Sequence, residues 1–167
     1  MAKKERTLDW LIKKYMTFLS SFGMEENDIR EHYATWKLKS NNIQIEDFLW
    51  HIFQMLLHDT AIQAKSEYEL HQNHSKIYSE MTKFRRQVEK KKENRLHQLS
   101  LSENILAMQA NLGTKLSVVV IADCCPYCNS LNGNVYEIKD ALKNKYLGSE
   151  KCTRELGCRC VYAFRSS

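Results

Sequence analysis

The sequence predicts a mainly α protein: a helical body built from long helices, followed by a small C-terminal β-type knuckle module. Three observations lead there. No glycine or proline occurs between Gly23 and Gly113, so nothing in that stretch forces a backbone break and long helices are permitted. Apolar residues within it recur at helical spacing. All six cysteines, in contrast, lie in the last 44 residues, a segment too short to bury much core of its own. The expected organisation is a helical body over residues 1–113 and a cysteine-rich module over 114–167. With 167 residues, 43% of them hydrophobic, the chain has about the length of one ordinary domain and can bury a core.

Leu8, Leu11, Ile12, Tyr15, Leu19 and Phe22 line one face of a first helix, and Gly23 stands where a C-terminal cap belongs. A second helix, approximately Glu25 to Leu38, carries a buried stripe of Ile29, Tyr33 and Trp36 and ends at Asn41-Asn42. The third begins after Asn42, with Ile45, Phe48, Leu49, Ile52, Phe53 and Leu56 on one face. Leu70, His74, Ile77, Met81, Phe84 and Val88 then form a heptad seam, the signature of a long helix packing on a neighbour in the chain or in an oligomer. The seam fails at Lys91 and Arg95. Ser100-Leu101-Ser102-Glu103 has a capping-box pattern and opens a last helix through Ile105, Leu106 and Met108 that stops near Gly113. The apolar, β-branched run Val118 to Ile121 reads as a buried strand leading into the first cysteines.

The cysteines are arranged as Cys124-Cys125-Pro126-Tyr127-Cys128, then Cys152, then Cys158-Arg159-Cys160. A C-x-x-C turn presents two thiolates on one side of a tight bend, and further cysteines about two dozen residues later complete a tetrahedral zinc site. Cys125 and Cys128 form the first knuckle. Cys152, Cys158 and Cys160 are the remaining candidates, with four sulfurs from these five positions holding one structural Zn2+, while Cys124 is expected to point elsewhere. Such a closed site leaves no position for a catalytic water, and metal ligation supplies roughly 10–16 kcal/mol of folding free energy to a segment without a core. A disulfide framework fits poorly, because the charged start Met1-Ala2-Lys3-Lys4-Glu5-Arg6 is not a secretory leader. The expected location is cytoplasmic. No run approaches a membrane span.

Cys125-Pro126-Tyr127-Cys128 is also the dithiol motif of glutaredoxins, which makes thiol-disulfide exchange a minor alternative. Asn129 to Asn134 reads as a turn rather than the helix that family requires, and Pro126 is the only proline, so the cis-proline that faces the dithiol there is missing. No Gly-rich phosphate loop, Ser-His-Asp order or paired carboxylates support an enzyme. No acidic partner set converts His71 and His74, three apart on a helix, or His51 and His58, seven apart, into a recognised metal or catalytic motif, and they read as solvated or core-edge histidines.

Charge is uneven beneath a net of +5. Lys83, Arg85, Arg86, Lys90, Lys91, Lys92 and Arg95 stand against only Glu89 and Glu93, whereas Glu25 to Glu80 is net acidic. Such a run is commonly a solvated helix face. It also suits sequence-independent contact with duplex DNA phosphates, so a nucleic-acid-binding zinc protein using a basic helix over 83–95 is the alternative reading.

The string from Ser117 to Tyr136, SVVVIADCCPYCNSLNGNVY, closed by Gly157-Cys158-Arg159-Cys160, resembles the C-terminal region of phage minor head proteins of the Mu F type, also called head morphogenesis proteins. Those proteins carry C-x-x-C, a Leu-(Asp/Asn)-Gly-(Lys/Asn)-(Val/Ile)-(Tyr/Phe) turn, a loop and a closing C-R-C. The resemblance covers about residues 100–163. Members commonly have a proline and histidine segment before C-R-C, where this chain has Gly148 to Gly157 with Cys152 in position to replace a histidine ligand. The resemblance implies a structural and interaction protein that docks, through its metal module, on portal or capsid proteins.

Overall fold

The computed structural model of the chain describes residues 6–39, 44–113 and 115–166. Seven helices precede or interleave with three strands among them, so the mainly α architecture with a small C-terminal sheet is as expected. The chain divides into two compact units, Met1–His58 and Asp59–Ser167. That boundary is not the one expected near residue 113.

The first unit holds α1 (Leu8–Ser20), α2 (Glu26–Leu38) and the part of α3 (Ile45–Gln63) up to His58. Thr7 caps α1, its hydroxyl accepting from the Trp10 amide at 3.3 Å, and Gly23 takes the positive φ of 79° that lets the chain leave the helix. Glu25 and Asp28 form a reciprocal capping box on α2. The core largely follows the apolar spacing, although Tyr33 and Trp36 of the expected α2 stripe are only half-buried. Leu11, Ile12, Tyr15, Leu19, Ile29, Phe48, Leu49, Ile52 and Phe53 are buried, and Phe53 meets Tyr15 and Phe18 while Phe48 meets Tyr33 and Trp36. Arg6 is paired with Glu46, and Arg30 bridges Asp9 and Glu26. The expected end of α2 at Asn41-Asn42 lies outside the described residues.

In the second unit, α4 (Glu67–Gln87) packs along α5 (Arg95–Leu112). Ile77, Met81, Phe84 and Val88 of the predicted seam are buried, so the neighbour that the seam required is α5 of the same chain. The seam is thus occupied within the unit. α5 starts at Arg95 rather than at Ser100, because Ser100 spends its hydroxyl on the Ser75 carbonyl of α4 at 2.9 Å.

Three antiparallel strands, β1 (Leu116–Ile121), β2 (Val135–Glu137) and β3 (Val161–Ser166), form a sheet ordered β2-β1-β3. Val118 of β1 pairs with Tyr136 of β2 and Phe164 of β3. The inward side chains Leu116, Val118 and Val120 join Leu101 and Ile105 of α5, Ile138 and Ala141 of α7 (Ile138–Asn144), Leu147, Tyr162 and the cysteines in one core. This shared core explains the position of the boundary. The sheet and the cysteine loops bury their apolar side against α5, so the α4–α5 pair belongs with them and not with the first three helices. No helix among the described residues is long and apolar enough to cross a membrane.

Candidate metal centre

The site is assembled from three pieces of chain. The first leaves the end of β1. Cys125, in extended backbone, caps α6 (Pro126–Asn129), a single helical turn with proline at its first position, and its Sγ accepts the Cys128 amide at 3.5 Å. This turn places the Cys125 and Cys128 sulfurs side by side, as C-x-x-C spacing predicts. The chain then turns through Leu131-Asn132-Gly133-Asn134, and the composition of this segment has a structural reason. The Asn132 side-chain oxygen accepts from the Ala122 amide at 2.9 Å, and Gly133, at φ 80°, donates to the Val120 carbonyl at 2.9 Å. The turn thereby fixes the end of β1 that carries the cysteines.

The second piece, from Tyr146 to Cys160, has no regular structure and brings in Cys152, Cys158 and Cys160. Three of its backbone polar groups are satisfied by the third piece, the connection between α4 and α5. Asn94, buried, accepts the Cys158 amide at 2.9 Å on Oδ1 and donates through Nδ2 to the Ser149 carbonyl at 3.1 Å. The Glu93 amide donates to the Leu156 carbonyl at 3.3 Å, and Arg86 in turn donates to the Glu93 carbonyl. Gly157 sits under this clamp at φ 98°, where a Cβ would lie 2.4 Å from the Glu93 carbonyl oxygen. His97 of α5 reaches the Cys160 carbonyl through Nε2 at 2.9 Å. Burial, helped by the nearby Arg86 charge, lowers the His97 pKa to about 4 against the opposing pull of that carbonyl, so at neutral pH the ring is uncharged and donates from Nε2.

The sulfurs of all six cysteines meet. Cys124, Cys125, Cys128 and Cys152 have sulfurs all within 4.8 Å of one another, and so do Cys124, Cys128, Cys158 and Cys160. Every expected ligand is in the cluster. Cys124, expected to point elsewhere, is in it too. Cys158 and Cys160 converge on it, at 4.0 and 3.0 Å. The donor set is all sulfur, five of the six residues are buried and Cys124 is partly so, which suits a thiophilic ion of the zinc class.

The electrostatics fit the same use. Burial pushes the thiols of Cys128, Cys152 and Cys160 up and that of Cys158 up to about 12. Cys125 goes the other way: burial would raise it, but the amides of Cys128 and Thr153 and the neighbouring thiols hold it down to about 6. Five sulfurs receive backbone hydrogen bonds: Cys124 from Arg159, Cys125 from Cys128 and Thr153, Cys152 from Arg154, Cys158 from Gly148 and Cys160, and Cys160 from Asp123. A divalent cation among them would compensate the burial cost of thiolates, and the amides would then hold the anionic sulfurs in place.

The basic stretch is divided by the fold. It is not one helix, since α4 ends at Gln87 and α5 begins at Arg95. Arg85 pairs with Glu89, Lys83 with Glu80, and Arg86 is turned inward as the support of the cysteine clamp, so Arg85 and Arg86 have the packing role that the charge pattern did not reveal. Lys90, Lys91, Lys92 and Arg95 are exposed. The histidines also gain a partner. Glu103, from α5, accepts from His71 Nδ1 at 2.7 Å and lies 3.9 Å from His74 Nδ1, a polar cluster between α4 and α5 that a separation of 32 residues hides in the sequence.

No protein-family model matches the chain, and comparison with curated proteins and with solved structures gives no match.

Proposed function

We propose that this is a structural and interaction protein of the phage head-morphogenesis type, whose C-terminal unit is stabilised by a structural zinc site. The observation that carries the metal reading is the convergence of six sulfurs, supplied by two loops without a core of their own, around positions of tetrahedral size. Four sulfurs per ion close the coordination sphere, which gives the metal a folding role and no bound water to activate. The assembly role rests on the resemblance of residues 100–163, and the fold supplies a reason for its motif: Asn132 and Gly133 tie the cysteine turn to β1. Metal analysis of protein purified without chelator, combined with thiol titration, tests the first part. Less than half an equivalent of zinc, with free or disulfide-bonded cysteines, would overturn it. A portal or terminase gene beside this one, and binding of the metal-loaded protein to that portal protein, would support the second part; the absence of both refutes it.

A second reading is favoured by one specific feature. Lys90, Lys91, Lys92 and Arg95 are exposed together at the connection between α4 and α5, and they make no ion pair among the described residues. Four clustered cations of this kind suit contact with duplex phosphates. The protein would then hold nucleic acid on the α4–α5 connection while the sulfur cluster behind it fixes the shape of that connection.

A further inference from the structure

From the arrangement of the six sulfurs we infer that the site is dinuclear: two divalent ions of the zinc class, each in a tetrahedron of four thiolates, with the Cys124 and Cys128 sulfurs bridging them. The inference rests on the proposed metal site and adds its stoichiometry and connectivity. The two four-sulfur sets share two members, Cys124 and Cys128, and their other members fall into separate pairs, Cys125 with Cys152 and Cys158 with Cys160. Two tetrahedra that share an edge need six ligands, which is the number of cysteines in the chain.

The separations have the right size. An ion with metal–sulfur distances of ~2.3 Å sits in a tetrahedron with edges of about 3.8 Å. Cys124–Cys152, Cys125–Cys152 and Cys128–Cys158 are each 3.8 Å apart and Cys124–Cys158 is 4.0 Å. Cys124–Cys160, at 3.0 Å, is short of that edge and has to open by under 1 Å to admit an ion.

The pattern of neighbours distinguishes bridging from terminal positions. Cys124 approaches Cys152 of one pair and both Cys158 and Cys160 of the other. Cys128 approaches Cys125 of the first pair and Cys158 of the second. Each close sulfur–sulfur contact falls within one set or the other. Backbone amides reach five of the sulfurs, Cys124 among them, whereas Cys128, fully buried between the two pairs, is surrounded by sulfur. A single ion would use four of these positions and leave two thiols buried beside it. Two ions use them all, and six thiolates with two dications carry the same net charge of −2 as one four-thiolate site. The inward Arg86 guanidinium, electrostatically coupled to Cys158, lies on the side where that charge is held.

The test uses the whole chain, reduced under anaerobic conditions and saturated by dialysis against zinc, then against 113Cd2+ as the spectroscopic probe. Two zinc ions per chain are expected, with no thiol reactive under native conditions. The cadmium form should give two resonances in the tetrathiolate range, and the β-protons of Cys124 and Cys128 should correlate with both while those of the other four cysteines correlate with one. One ion per chain, with two thiols titratable, would overturn the dinuclear assignment and leave the structural metal site standing. Two ions with no cysteine coupled to both would overturn the bridging. Less than half an ion would remove this inference and the metal reading together. The connectivity is read on the unaltered chain, so a Cys124→Ser variant that fails to fold does not affect the outcome.

Discussion

Asn94 is where the helical part of the second unit grips the cysteine loop, and removing its side chain has a calculable consequence. Asn94→Ala leaves the Cys158 amide and the Ser149 carbonyl without the partners they now have at 2.9 and 3.1 Å. The residue is only 5% exposed, so water does not simply replace the carboxamide. At about 1–3 kcal/mol for each buried group left unpaired, the loss is about 2–6 kcal/mol, a large part of the roughly 5–15 kcal/mol by which a domain is ordinarily stable. Asn94→Asp keeps an acceptor for Cys158 but sets a carboxylate oxygen against the Ser149 carbonyl and close to the sulfurs, so it is not expected to restore the parent. The assay is urea unfolding of the Co2+-substituted protein. Thiolate-to-metal absorption reports the second unit, and tryptophan emission reports the first, since Trp10, Trp36 and Trp50 all lie there. The absorption transition should move to lower urea by the equivalent of at least about 2 kcal/mol. A shift below about 0.5 kcal/mol, the scale of an ordinary surface substitution, would refute the clamp.

Gly157→Ala should be comparably damaging, because its φ of 98° and a Cβ 2.4 Å from the Glu93 carbonyl combine backbone strain with a clash against main chain. About 1–3 kcal/mol from each source is expected, read as a lower thermal midpoint of the metal-loaded protein. Removing metal with a strong chelator, or acidifying until protons displace it from the thiolates, should abolish the cooperative transition of the second unit and leave the tryptophan-detected transition of the first within a few degrees of its original midpoint. Simultaneous loss of both transitions would contradict the division at His58. If the exposed cations bind phosphate, Lys90→Gln, Lys91→Gln, Lys92→Gln and Arg95→Gln combined should weaken binding to all duplex sequences alike and reduce the salt slope by up to about four ions, measured by fluorescence anisotropy across salt concentrations. Equal binding by parent and variant at every salt concentration leaves those residues as a solvated surface.

Features that depend on near neighbours were legible in the sequence. The faces of α1 and α3 come from apolar spacing, and the Cys125–Cys128 knuckle from a three-residue separation that closes a turn by itself. Features that depend on partners far along the chain were not. Ser100-Leu101-Ser102-Glu103 has the local pattern of a helix start, yet Ser100 bonds α4 and Asn94 starts α5 while holding Cys158, 64 residues away. Arg86 looks like one more surface cation until its contact with Glu93 and its place behind Cys158 are known. Adjacent residues ordinarily project differently, a local rule that says nothing about which later cysteines arrive on the Cys124 side, and the Cys124 sulfur lies in one cluster with that of Cys125. The boundary between the units was hidden for the same reason, since the packing of Leu101 and Ile105 on β1 has no sequence signal.

The loop from Tyr146 to Cys160 contains Lys151, Arg154 and Arg159 and has neither strand nor helix to shield its peptide bonds. Its resistance to trypsin-like proteases therefore depends on the sulfur cluster and on Asn94 rather than on a ladder of backbone bonds. If the cluster holds metal as proposed, metal supply sets the lifetime of the second unit in a cell: a loaded chain would present a closed loop, and an unloaded one three basic cleavage sites between Tyr146 and Cys160.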